Sequence, residues 1–210
     1  MSKLKSFVVA GVAVCMAMFI LAMPGKAGEV DFSNPAFAPA GGQTSIPIGA
    51  SVFCKANRGD CAPNRSVVEA MPLDDARWAE LVDTNNLINS AVVPVTDIDY
   101  YRQDEVWAYP ADGYGDCEDY ALAKRKALIA KGWNPSTLLM TVVREQDGDG
   151  HAVLMVRTDR GDLVLDNQDG RILLWNQTPY QYLKRQSQAD ASRWVDLIDN
   201  RAGLMVASTR

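Results

Sequence analysis

One histidine, His151, and four cysteines are all the imidazole and thiol groups this chain possesses. That scarcity narrows the chemistry. A structural zinc site draws its ligands from closely spaced Cys and His pairs, and beyond Cys54 and Cys61 no second pair lies nearby to complete a shell. Positive charge is not in excess either: 21 Lys and Arg stand against 26 Asp and Glu, a net charge of −5. An acidic chain with no basic stripe excludes nucleic acid and anionic membrane surfaces as partners. Internal repeats, coiled-coil heptads and long low-complexity tracts are also missing, so the 210 residues read as one ordinary domain with extensions.

A long apolar run, Phe7 to Met23, follows Lys3 and Lys5, and Gly25-Lys26-Ala27 places small residues at the −3 and −1 positions of a cleavage site. Residues 1–27 are therefore expected to be a secretory signal peptide. The competing reading is an uncleaved anchor, since the run is about long enough to span a bilayer. Cys15 does not suggest a lipoprotein, because branched Val14 precedes it where a small residue is needed. Loss of Lys3, Lys5 and Lys26 on cleavage takes the net charge from −5 to −8.

Three cysteines remain in the mature chain. Cys54 and Cys61 flank a polar, glycine-containing loop and would pair in an oxidising compartment. Cys117 is left over. It lies in Gly115-Asp116-Cys117-Glu118-Asp119-Tyr120, a tight loop that runs into a helix ended by Gly132. A helix N-terminus carries unpaired N–H groups and partial positive charge, which favour a thiolate. The available base is His151, after the turn Asp147-Gly148-Asp149-Gly150, and Asp166 closes the next apolar run. Cysteine on a helix, histidine opening one strand and aspartate ending the next form a Cys–His–Asp constellation, the chemistry of a cysteine hydrolase or acyltransferase.

Around these residues, 28–51 read as an extended arm rich in Pro, Gly, Ala and Ser, and 52–64 as the disulfide loop. Apolar spacing predicts a helix over 74–91, on which Asn85, Asn86 and Asn89 read as caps or packing against the next loop. The connector 92–115 is too long for a turn and leads to Cys117, so it is expected to line a cleft. Runs at 137–143, 151–157, 162–166 and 171–175, separated by turn residues, predict an antiparallel meander. The tail, with Pro179, Tyr180, Tyr182 and Trp194, is expected to pack back over that sheet. Helices first and then a sheet give an α+β class, with 28–64 as an N-terminal arm and 65–210 as the domain.

The Gly-Asp-Cys-Glu-Asp-Tyr-Ala block on a helix, the strand-borne His151 after an acidic turn and the Leu165-Asp166-Asn167 strand end resemble the bacterial transglutaminase-like cysteine proteinases, in particular their LapG-like periplasmic members. The resemblance runs from about Trp78 to Trp194. It implies a papain-like, transglutaminase-type core, a periplasmic location and Cys117, His151 and Asp166 as the triad. It also implies a protein substrate such as a surface adhesin, a regulatory receptor in the inner membrane, and calcium bound by the acidic residues that flank the nucleophile, here Asp116 and Glu118.

The carboxylates also pose a physical problem. Asp112, Asp116, Glu118 and Asp119 crowd Cys117, and negative charge disfavours a thiolate. An oxygen-ligated dication such as Ca²⁺ would cancel that field; the plainer alternative is an acidic helix start that complements the dipole. Asp147-Gly148-Asp149-Gly150 lacks a distal bidentate glutamate and reads as a hairpin turn. Three functions fit: an endopeptidase, an acyltransferase or amidase using the same thioester, and a non-catalytic calcium-binding interaction module.

Overall fold

The computed structural model describes residues 32–201. The expected signal peptide and the first residues of the arm lie outside the described residues. In chain order the elements are β1 (Ala40–Thr44), α1 (Ile48–Ala56), α2 (Asp75–Ala91), β2 (Val93–Pro94), α3 (Asp97–Tyr101), β3 (Tyr114–Gly115), α4 (Cys117–Ala130), β4 (Leu138–Arg144), β5 (Gly150–Thr158), β6 (Gly161–Leu165), β7 (Leu173–Leu174), β8 (Gln181–Gln186) and β9 (Trp194–Leu197). Among the described residues, no helix is long and apolar enough to cross a membrane.

The fold is α+β. A seven-stranded antiparallel sheet runs in the order β1-β9-β8-β4-β5-β6-β7. β4 through β7 form the expected meander. β4, β5 and β6 are apolar almost without alternation because both faces are covered. One face packs Leu138, Met140, Leu154, Val156 and Leu163 with Leu81, Leu122 and Leu128 of α2 and α4. The other buries Leu139, Val143, Val153, Met155 and Val164 beneath Trp175, Tyr180 and Tyr182.

Asp74 caps α2 by accepting from the Arg77 N–H at 2.8 Å, within a residue of the expected start. Gly132, with φ at 90°, stops α4 in the left-handed conformation that glycine tolerates best.

Two expectations are corrected. The tail does not only pack over the sheet, where Tyr180 and Tyr182 cover one face: its β8 and β9 also extend the sheet beyond β4, and β1 of the arm closes that edge. The segment 48–56 is a helix rather than loop, and Cys54 near its end is disulfide-bonded to Cys61.

Candidate active site

The parallel pair β2–β3 brings the two ends of the connector together, Val93 against Tyr114 and Pro94 against Gly115, and delivers the chain to the start of α4. Gly115 sits where a Cβ would lie 2.7 Å from Asp119 Oδ2. Only glycine lets the backbone pass this close to the first turn of the helix. Asp119 is fully buried and accepts from the Ala108 N–H at 2.7 Å, so the same carboxylate ties down the middle of the connector.

Cys117 opens α4 and faces a cleft of about 410 Å³ that it shares with His151, Asp116 and Gln168, walled by Pro94, Val95, Thr96 and Asp99 of the connector. Across it, β5 and β6 pair Leu154 with Leu165, a register that sets Asp166 beside the His151 end of β5. The imidazole Nε2 lies 2.9 Å from Asp166 Oδ1, and both residues are 3% exposed. The Tyr180 hydroxyl donates to Asp166 Oδ2, and the Gln168 N–H donates to Oδ1 at 3.0 Å. Burial by itself would raise the Asp166 pKa; hydrogen bonds from His151, Tyr180 and Gln168, with the charge of His151, outweigh it and hold the carboxyl below its usual range. Asp166 is therefore an anion that accepts from the Nε2–H, which leaves Nδ1 as the basic nitrogen. Gln168 Nε2 at 3.4 Å and Glu145 Oε1 at 3.9 Å border Nδ1.

The thiol itself donates to Glu118 Oε2 at 3.2 Å rather than to the imidazole. Burial pushes its pKa up, and the negative charges of Glu118 and Asp116 add to that; the Ala152 N–H, which donates to the sulfur, works in the opposite direction. In this arrangement Cys117 is a neutral thiol.

Asp116 and Glu118 are brought together, and with them a residue not picked out as a ligand from sequence. Asp97, Asp116 and Glu118 each offer an oxygen within 4.8 Å of the others. Burial raises the pKa of Glu118, with the charge of Asp116 adding to it. Burial also raises that of Asp97, against the Val106 hydrogen bond. Asp116 Oδ1 is buried without a hydrogen-bond partner. Crowded carboxylates with an orphaned oxygen fit a hard, oxygen-seeking cation. Asp112, by contrast, is exposed and accepts from the Tyr100 hydroxyl and the Tyr114 N–H, so it belongs to the rim and not to the cluster at Cys117. Tyr180 and Asp97 lie 14 and 20 positions from Asp166 and Cys117; nothing local in sequence ties them to the site.

The description "bacterial transglutaminase-like cysteine proteinase BTLCP" matches residues 40–202, and the chain belongs to that family. The match begins well before Trp78, where the resemblance legible in sequence starts. Among solved structures the chain is similar to calcium-bound LapG of Legionella pneumophila, with 26% identity and a TM-score of 0.46 over 51% of this chain and 64% of that one. It is similar to the EGTA-treated form at 24% identity and a TM-score of 0.48, over 59% and 68%. A further LapG structure from that organism gives 25% and 0.49, over 62% and 74%. The chain thus spans less than two thirds of the calcium-bound protein. No curated protein sequence matches it significantly.

Proposed function

We propose that this chain is an exported cysteine endopeptidase that cleaves a periplasmic or surface-exposed protein with Cys117, His151 and Asp166. The observation that carries the reading is the buried His151–Asp166 hydrogen bond on the wall of the cleft into which Cys117 opens. In this reading Nδ1 of His151 takes the thiol proton as sulfur adds to the scissile carbonyl carbon. The imidazolium then protonates the departing amine, and water resolves the thioester by the same base. Backbone N–H groups at the start of α4 stabilise the oxyanion. Asp166 keeps the imidazole in the tautomer that has Nδ1 free. The family resemblance supports a surface adhesin as substrate and an inner-membrane receptor as regulator.

Asp97, Asp116 and Glu118 would hold calcium in this scheme. The bound ion supplies positive charge that offsets the carboxylate field on the sulfur.

Turnover of a protein substrate tests the assignment. Cys117→Ser and His151→Ala each reduce it to near background while the fold persists, and the double variant loses little more, because members of one catalytic unit are not additive. Independent, multiplicative losses, or incorporation of labelled amines without new N-termini, would count against a triad-based peptidase.

A further inference from the structure

The disulfide loop and the last turns of α4 wall a second cavity, which plays no part in the proposed catalysis. Its volume is about 480 Å³, and it shares no lining residue with the cleft at Cys117. Arg125 lines it, eight positions beyond Cys117 and so about 12 Å further along the helix axis. That side chain is the unusual feature. Arg125 is 4% exposed, yet among the described residues it forms no ion pair; its Nε donates to the Leu138 carbonyl at 3.0 Å. Its two terminal nitrogens have no hydrogen-bond partner among the described residues, and neither is sealed off in the core. The guanidinium fork therefore opens on the cavity. Burial lowers the Arg125 pKa in spite of the neighbouring Tyr109 and Asp60. A buried cation with an open fork is costly, and a bound anion would relieve that cost.

The rest of the wall selects the anion. Arg65 adds a second cation and Asp60 one carboxylate, so two positive charges face one negative, while Pro63, Ile129 and Pro135 supply apolar surface. A singly charged, planar group on an apolar body matches that set; a phosphate dianion would leave excess negative charge beside Asp60. The wall is also built in advance. The Cys54–Cys61 bridge closes the loop on one side. Asn64 donates through its N–H to the Ala189 carbonyl at 2.9 Å and through Nδ2 to the Gln188 carbonyl at 2.7 Å. The Val68 N–H donates to the Ser136 hydroxyl at 3.1 Å. A preformed wall spares a ligand the cost of ordering it. We propose that this cavity binds a monocarboxylate with an apolar body, its carboxylate held by Arg125 and Arg65. A free short-chain acid and the C-terminal residue of a peptide offer that same chemistry. The site stands independently of the catalytic reading of Cys117.

Isothermal titration calorimetry of the mature protein tests this, at fixed ionic strength because exposed charges are screened by salt. The probes are N-acetyl-leucine, N-acetyl-leucinamide, isovalerate and inorganic phosphate. At least one of the two acids should bind saturably, and N-acetyl-leucinamide, which lacks the charge, should not. Isovalerate binding as tightly as N-acetyl-leucine marks a free acid as the ligand; binding of N-acetyl-leucine alone marks a peptide C-terminus. Arg125→Gln should weaken binding about tenfold or more, the loss expected for hydrogen bonds to a charged group. Arg65→Gln should weaken it less. Asp60→Asn should tighten it, because it removes the opposing charge and keeps an acceptor for Tyr109. If Arg125→Gln does not fold, Arg65→Gln and Asp60→Asn carry the comparison. Four results would each overturn the proposal: no saturation with either acid below about 10 mM, equal binding of acid and amide, tighter binding of phosphate, or an affinity unmoved in both Arg65→Gln and Asp60→Asn.

Discussion

Asp166 makes three hydrogen bonds through its carboxylate, to His151, Gln168 and Tyr180, and it is the residue on which the site turns. Tyr180→Phe removes the O–H donor and keeps the ring. A hydrogen bond to a charged group contributes about 1.5–3 kcal/mol, and the sign of its pH dependence follows from the lowered Asp166 pKa. The stabilisation is present above the unfolded value, about 3.9, and is lost as pH falls through the lower folded value. Tyr180→Phe should therefore lower stability by about 1.5–3 kcal/mol at pH 7 and by little at the acid end, as read by denaturant unfolding at both pH values. The three residues of the proposed triad could be singled out in sequence because each carries its chemistry in its type and stands at a boundary between elements. Tyr180 and Asp97 could not. A buried tyrosine and a connector aspartate look ordinary in sequence, and only the tertiary fold brings them to Asp166 and to the carboxylates beside Cys117.

At the scale of elements, the first turn of α4 is braced by contacts that leave no room for a side chain at Gly115. Gly115→Ala would push a methyl group into Asp119, whose carboxylate also holds the Ala108 N–H. Such overpacking costs on the order of 1–3 kcal/mol. The expected result is a lowered melting temperature together with a loss of Cys117 reactivity, measured by alkylation of the folded protein. A variant with native stability and native reactivity would show that the turn is not braced in this way. The helix over 75–91 was legible from its Asp74 cap and the one over 117–130 from its stop at Gly132, although polar Thr84, Asn85, Lys124 and Arg125 occupy buried positions on them. α1 was hidden by its Gly-Ala-Ser composition: it is a helix in the tertiary setting, with Gly49 packed against Trp107. β8 was hidden because Gln-Tyr-Leu-Lys-Arg-Gln has a polar character that its location reverses. Arg185 and Gln186 are buried, and Gln186 accepts from the Met140 N–H of β4 and donates to the Ala191 carbonyl.

For the whole molecule, two features bear on stability, one remote from Cys117 and one against it. The Cys54–Cys61 bridge closes a short loop at the end of α1, and the chain-entropy account assigns such a loop on the order of 2 kcal/mol. Replacing both cysteines by serine should cost about that much in denaturant unfolding while leaving Cys117 the one thiol to titrate among the described residues. The second feature is the carboxylate cluster of Asp97, Asp116 and Glu118. If it holds calcium, EGTA should lower the melting temperature and slow alkylation of Cys117 at neutral pH, and calcium should restore both. Magnesium should do so poorly, because it demands tighter octahedral geometry and holds its waters. Asp97→Asn, Asp116→Asn and Glu118→Gln should each blunt the response. Unchanged melting and alkylation in EGTA would remove the metal and leave the triad standing.

The central claim is that Cys117 cuts a protein outside the cytoplasm, and the most direct measurement is a comparison of protein N-termini. Cells carrying the wild-type chain and cells carrying Cys117→Ala at equal levels would be labelled at the free α-amines of their exported and surface proteins, and the labelled termini identified by mass spectrometry. The account predicts a small set of internal N-termini present with the wild type and missing with Cys117→Ala. Identical sets of termini in the two cells, with both proteins folded and exported, would contradict it.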